Sequence, residues 1–312
     1  MKNTIRKSNR TPKGTFKQIR KCYQLYFFLL PAVVLLIIFT YIPMYGVQIA
    51  FRDFSPAKGI WGSQWVGLKY FKQFIQAYQF KSTFKNTLIL SLYCMGVTFP
   101  FPIILALLCN QMRAKRFKKV FQVVSYLPHF ISTVVVCGMI LLFLSPSVGV
   151  ISKLLGVFGI EMPNVLGSAD AFSSIYVWTE VWQHMGFDSI VYVAALSAID
   201  PSLYEAATMD GASKWQKMIY IDFRLILPTA TIMLIMRAGS LMSIGFEKVY
   251  LLQNSMNLSQ SEILSTYVYK IGLIGGQYSM SAAVNMFNSI INLILLLTVN
   301  YISGKLSDTA LL

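Results

Sequence analysis

Four ionisable side chains stand inside apolar sequence, where a charge needs a partner or a purpose. Glu180, His184 and Asp188 recur every four residues within Phe172 to Leu196, which aligns them along one face if that stretch is helical. Arg237 stands near the middle of a second apolar stretch, Leu225 to Phe246, twelve residues from its start and nine from its end. An ionisable group in hydrocarbon costs at least about 2.5 kcal/mol and therefore faces protein or water. Two chemistries fit: a structural ion pair of Arg237 with Glu180 or Asp188, or an aqueous cavity where the guanidinium meets an anionic ligand. Trp178 and Trp182 alternate with the 180/184/188 face, which also suits an interfacial polar face with no specific role. Further on, Asn285, Asn288 and Asn292 are spaced by three and four. Three amides on one helical face require partners: another helix of this chain, a second subunit, or a polar pathway.

The elements that position these residues follow from composition. The chain has 312 residues, 55% hydrophobic and 12% charged, about half the charged fraction of a soluble domain. A run without charge covers Cys22 to Phe51, and others follow at Asn86 to Met112, Val120 to Ser152 and Ile271 to Gly304. Each exceeds the roughly 20 residues a helix needs to cross the hydrocarbon core. With the two charge-bearing stretches, six spans are expected at about 25–51, 84–110, 122–145, 172–197, 225–246 and 281–303. The fold class is an all-α integral membrane protein, a transmembrane domain over 22–306 with short tails at 1–21 and 307–312. The first run is too long and too aromatic for a signal-peptide core and is expected to stay as an anchor. Cys22, Cys94, Cys109 and Cys137 occur singly, without C-x-x-C spacing, so no metal or redox site is expected.

The net charge of +15 does not point to nucleic acid, because of where the charge lies. Residues 1–21 hold eight Lys/Arg and no acid, and Gln111 to Lys119 hold five more. Both segments fall on one side of a six-span chain, together with Lys214, Lys217 and Arg224. The positive-inside rule then puts both termini in the cytoplasm, although Arg52, Lys58, Lys69, Lys72 and Lys81 on the opposite side weaken the contrast. Trp61 and Trp65 suit the outer interface, and Leu68 to Tyr78 spaces Phe71, Phe74, Ile75 and Tyr78 for a short surface-lying helix.

Between the fourth and fifth expected spans lies a polar segment, 198–224. Asp200-Pro201 is a helix start, a capping side chain with proline at the first helical position. Asp210-Gly211 ends that helix, because glycine accepts the left-handed conformation, and Ser213 caps a second helix starting at Lys214. The helix, bend and helix mix small residues with bulky Tyr204, Met209 and Trp215. That makeup suits an amphipathic hairpin resting on the membrane or a helix inserted into a partner's groove.

The run AIDPSLYEAATMDGASKW, Ala198 to Trp215, resembles the EAA loop of permease subunits of binding-protein-dependent ABC importers, whose pattern is E-A-A, three residues, G, nine residues, I-x-L-P. The match continues to Ile221; where the pattern has L-P this chain has Phe223-Arg224, and an L-P follows at Leu227-Pro228. QLYFFLLPAVVLLIIFTYIPMYGVQIAF, KGIWGSQWVGLKYF, GFEKVYLL and STYVYKIG are similar to segments of the polysaccharide-uptake branch of the carbohydrate-type permeases.

The resemblance implies a type I ABC importer permease fold in a bacterial cell membrane, with the EAA segment as a cytoplasmic coupling-helix hairpin. Tyr204, Glu205, Ala206, Ala207, Asp210 and Gly211 would couple it to ATPases. It also implies a second permease subunit, two cytoplasmic ATPases holding ATP and Mg, an extracytoplasmic solute-binding protein and an oligosaccharide substrate. Glu180, His184, Asp188, Arg237, Asn285, Asn288 and Asn292 are the candidates for the substrate path, and Arg237 admits an acidic, uronate-containing sugar. The chain itself has no G-x-x-x-x-G-K-[ST], H-E-x-x-H or G-x-S-x-G. No catalytic role and no cofactor of its own are expected. A stand-alone secondary transporter and a membrane-embedded enzyme are the alternatives.

Overall fold

The computed structural model describes residues 23–112 and 114–306. The basic segment 1–21, Cys22, Arg113 and the tail 307–312 lie outside the described residues. Helix α1, Gln24–Phe51, comes first, and its most apolar window buries nothing within this chain. It ends at a two-residue antiparallel hairpin, β1 (Arg52–Asp53) with β2 (Gln64–Trp65), in which Arg52 pairs with Trp65 and Asp53 with Gln64. The Arg52 guanidinium lies 5.8 Å from the Trp61 ring centre and 5.5 Å from that of Trp65.

The short α2, Lys69–Gln76, does not simply lie on a surface. Phe74 is buried in a cluster with Met242, Leu264, Met280 and Val284, while Ile75 and Tyr78 remain exposed. The strong apolar stripe of α2 therefore faces protein.

The next helices are α3 (Tyr78–Asn110), α4 (Lys115–Phe130), α5 (Thr133–Phe143), α6 (Val150–Val157) and α7 (Ala169–Ser197). After these come α8 (Pro201–Met209), α9 (Lys214–Ala238), α10 (Phe246–Leu252), α11 (Leu264–Tyr269) and α12 (Tyr278–Leu306). Among the described residues, α1, α3, α9 and α12 are long and apolar enough to span, and α4 with α5 makes a fifth if counted together. Helix α7 has the length, 29 residues, but carries Asp170, Glu180 and Asp188.

Two expected spans are redrawn. The span at 122–145 is two helices meeting at 96°. Pro128 has no N–H for the helical ladder, Leu127–Phe130 tightens to a 3₁₀ turn, and the Ser132 hydroxyl caps the new helix at Val135. The span at 225–246 ends at Ala238, so Arg237 sits in a last helical turn and not at the middle of a helix. A cation at that end meets the unpaired carbonyls and the negative pole of the helix.

Helix α7 is central. Its Tyr192 and Leu196 pack with Ile103, Ala106 and Leu107 of α3 and Ile226 and Ala230 of α9. Its Phe172, Tyr176 and Val177 pack with Leu90 of α3, Val136, Cys137 and Ile140 of α5, and Val249 and Leu252 of α10. At the crossing with α4, a β-carbon on Gly186 would lie 1.9 Å from the Ser125 carbonyl oxygen. Only glycine permits that approach.

Candidate functional site

Where α9 breaks, the chain between Ala238 and Phe246 turns away and opens a cleft of about 250 Å³ against α3 and α7. Ser91, Cys94, Met95 and Thr98 of α3 form one wall, and Tyr176, Glu180, His184 and Asp188 of α7 form another. Arg237 and the turn from Ser240 to Gly245 close the third side. The four-residue spacing on α7 and the broken helix together bring four of the sequence candidates to one place.

Two ion pairs organise the cleft. The Arg237 guanidinium donates to Asp188 Oδ2 and, at 2.9 Å, to Thr98 Oγ1. Asp188 was one of two partners open to it. The other, Glu180, accepts from Lys248 Nζ of α10 at 2.8 Å, and the Lys248 side chain is only 3% exposed. Lys248 also lies 5.5 Å from the centre of the Tyr176 ring. His184 Nε2 is 3.5 Å from Glu180 Oε2, and its Nδ1 is 3.0 Å from Nδ1 of His129, so one of these two nitrogens carries the shared proton. The His129 ring stacks on Phe187 at 3.8 Å. Two cations and two carboxylates balance, and the Arg237 side chain, 28% exposed, keeps further N–H donors at the wall.

Lys248, His129 and Thr98 were not among the sequence candidates. Lys248 stands beyond the expected fifth span, and its only signal is that, with Glu247, it puts charge between Gly245-Phe246 and the apolar run Val249 to Leu252.

The asparagines are elsewhere. Asn292 Oδ1 accepts the main-chain N–H of Met242 at 2.8 Å and its amide donates to Ser243 Oγ at 2.9 Å, while Asn288 donates to the Met242 carbonyl at 3.4 Å. These two amides satisfy the backbone that the break in α9 leaves open, which is glue within the chain. Asn285 lines a separate depression with Phe246, Tyr269 and Ser281. A larger polar recess, about 500 Å³, lies between Asp53, Lys69, Tyr70 and the start of α12. Burial first, and then the Asp53 carboxylate, raise the Tyr70 hydroxyl to about 12. Among the described residues no cluster of His, Cys, Asp or Glu could hold a metal ion.

The polar hairpin is built as its residues dictate. Asp200 Oδ1 accepts the Ser202 N–H at 2.9 Å, and this bond lowers the Asp200 carboxyl. Helix α8 ends with Gly211 at φ +74° and with the Ala212 N–H on the Ala207 carbonyl at 2.9 Å, the closing bond of a glycine cap. Ser213 and Gln216 form a capping box for α9, and Lys217 Nζ reaches Thr208 Oγ1 at 2.6 Å across the bend. Glu205, Ala206 and Asp210 are exposed, Glu205 has no partner among the described residues, and Met209 is 88% exposed. Tyr204 instead turns inward and donates to Asp222. The helix then runs through Phe223-Arg224 and past Pro228 without a break.

Comparison with known proteins gives four findings. The family described as "Binding-protein-dependent transport system inner membrane component" matches residues 98–308. The polygalacturonan/rhamnogalacturonan transport system permease protein YteP of Bacillus subtilis (strain 168) is 40% identical over 304 residues, 97% of this chain and 94% of that protein. A chain in the crystal structure of a bacterial ABC transporter involved in the import of the acidic polysaccharide alginate superposes with TM-score 0.86 at 38% identity, over 94% of this chain and 99% of that one. A second structure, the alginate transporter in complex with an alginate pentasaccharide-bound periplasmic protein, gives 0.87 at 37%, over 95% and 99%.

Proposed function

The chain belongs to the family of binding-protein-dependent transport system inner membrane components, and from that membership we propose that it passes an acidic, uronate-containing oligosaccharide through the cleft of Glu180, His184, Asp188, Arg237 and Lys248. It is a membrane-embedded permease subunit of a sugar ABC importer, a transport subunit and not an enzyme.

Arg237 carries the acidic reading. Its guanidinium stands partly exposed on the cleft wall, held by Thr98 and one oxygen of Asp188. A sugar carboxylate entering the cleft competes with Asp188 for that fork, and a bidentate pair adds geometry as well as charge. Release returns Arg237 to Asp188, so the empty cleft is never left with a bare cation. The acidic polymers named for YteP and for the solved transporter support this substrate class.

The partners in this reading are a second permease subunit, two ATPases that bind ATP and Mg, and an extracytoplasmic binding protein that delivers the sugar. Both termini and the Tyr204 to Lys217 hairpin lie on the cytoplasmic side. Glu205 contacts a basic residue of the ATPase, exposed Met209 fills its groove, and Ala206, Ala207 and Asp210 line the contact. Gly211 supplies the bend. ATP and loaded binding protein favour the outward-facing state by a few kcal/mol more than the inward one, and the hairpin carries that difference to α7 and α9.

Uptake of oligogalacturonate and of a neutral oligosaccharide of equal length, by the reconstituted assembly with wild-type or Arg237→Gln permease, tests the substrate class. The expected result is a loss of about tenfold or more for the uronate alone, the scale of one charge-assisted hydrogen bond. Equal loss for both sugars, or none, removes the acidic-ligand role.

A further inference from the structure

We propose that Asp222 is the positioning residue that fixes the hairpin to the membrane helices, and that the force passed by the hairpin enters α3 and α9 through it. The transmission rests on the importer function proposed above, and the attachment on geometry alone.

Asp222 is fully buried, at 0% exposure, in the turn Met218–Phe223 where α9 leaves the hairpin. A buried carboxylate is tolerated only when its oxygens are taken up by donors. Here three donors from two other elements converge on it. Tyr204 of α8 donates its hydroxyl to Oδ1, while Asn110 and Gln111, at the end of α3, donate their amides to Oδ2 at 3.2 and 2.8 Å. Helix α8, the start of α9 and the distant end of α3 thus meet at one carboxylate.

Little else holds α8 in place. No α8 residue is fully buried, and its outer residues face away from the chain. The exceptions are Tyr204 and Ala207, both half-buried, and the Lys217 contact to Thr208 lies within the hairpin itself. The Tyr204 to Asp222 bond is consequently the polar tie between the exposed hairpin and the rest of the molecule. Because its acceptor is ionisable and dry, it is worth more than a bond between neutral groups. Any displacement of α8 must either carry α9 and α3 with it or break that bond.

The alternative is a bond that only stabilises the fold, and two measurements separate the roles. Hydrogen exchange is measured on the permease with its co-purifying subunits in nanodiscs. Tyr204→Phe, which keeps the ring, raises exchange of the amides in Pro201–Met209 about tenfold or more, and leaves Ala169–Ser197 unchanged. Asp222→Asn keeps a carbonyl for Tyr204 and stays within about threefold of wild type. Wild-type exchange in Tyr204→Phe overturns the attachment. In proteoliposomes supplied with ATP and oligogalacturonate, Tyr204→Phe lowers sugar moved per ATP hydrolysed at least about fivefold, and Asp222→Asn restores most of that ratio relative to Asp222→Leu. A ratio unchanged in Tyr204→Phe overturns the transmission. The exchange experiment needs no sugar, so a wrong substrate would disturb the uptake arm of wild type alone and be recognised there.

Discussion

Lys248 Nζ lies 2.8 Å from Glu180 Oε1, and the lysine side chain is all but sealed from solvent at 3% exposure. Such a pair contributes little net stability, yet removing one partner strands the other charge. Glu180→Gln alone is expected to cost about 3–5 kcal/mol, and Glu180→Gln with Lys248→Met to recover most of it. Denaturant unfolding of the four variants in detergent gives the coupling directly. Additive losses would show that the two charges are independently solvated.

Gly186→Ala tests the crossing of α4 and α7. Helix propensity alone predicts that alanine stabilises α7 by about 1 kcal/mol. The added carbon would meet the Ser125 carbonyl oxygen at 1.9 Å, which no rotamer can relieve. The expected outcome is the opposite sign, a destabilisation of about 1–3 kcal/mol from forced separation of the helices. A raised melting temperature in thermal unfolding would refute the close approach.

Gly211→Val and Glu205→Lys probe the proposed hairpin contact. Gly211 is at φ +74°, a conformation a β-branched residue strains to adopt, and Glu205 has no partner within the described chain to lose. Both variants are expected to insert normally and to abolish ATP-driven uptake. Normal uptake in reconstituted vesicles by either one counts against the coupling role.

The hairpin has a pH window with opposite signs at its two edges. Asp200 is lowered by its bond from Ser202, so its contribution is present above the ordinary carboxylate value of about 3.9 and fades as pH falls through the lowered one. Tyr204 is raised to about 12, chiefly by burial and next by its bond to Asp222. Its contribution is complete below the ordinary tyrosine value of about 10 and is lost as pH rises through the raised one. Protection factors over Pro201–Met209 should therefore be flat from about pH 5 to 9 once the intrinsic rate is divided out. A step near neutrality would implicate another group.

The hairpin boundaries were legible because they are set locally. Asp200, Pro201, Gly211 and Ser213 each act within a few residues of themselves, and the structure uses each as its chemistry suggests. The face of Glu180, His184 and Asp188 was legible for the same reason, since helical periodicity alone puts it together. The end of the fifth span was not. Leu241 to Phe246 is as apolar as what precedes it, and hydropathy does not register that Gly239 must meet Leu296 of α12 or that Asn292 caps the broken backbone. Lys248 and Asp222 are not legible in the sequence because the groups that hold them, Glu180 for one and Asn110 and Gln111 for the other, come from distant segments. Nor could composition reveal the 96° bend after Phe130, because both arms are free of acidic residues and apolar at the joint.

The wide turn Met218–Phe223 inserts one extra residue into the rod that carries both Trp215 and Arg237. Each residue advances a helix by about 100°, so this turn sets the phase between the rod's two working ends. The azimuth of the hairpin end and that of the guanidinium end are thereby set without either dictating the other. Shortening the chain by a single residue there would leave every side chain present and rotate the guanidinium out of alignment with its aspartate.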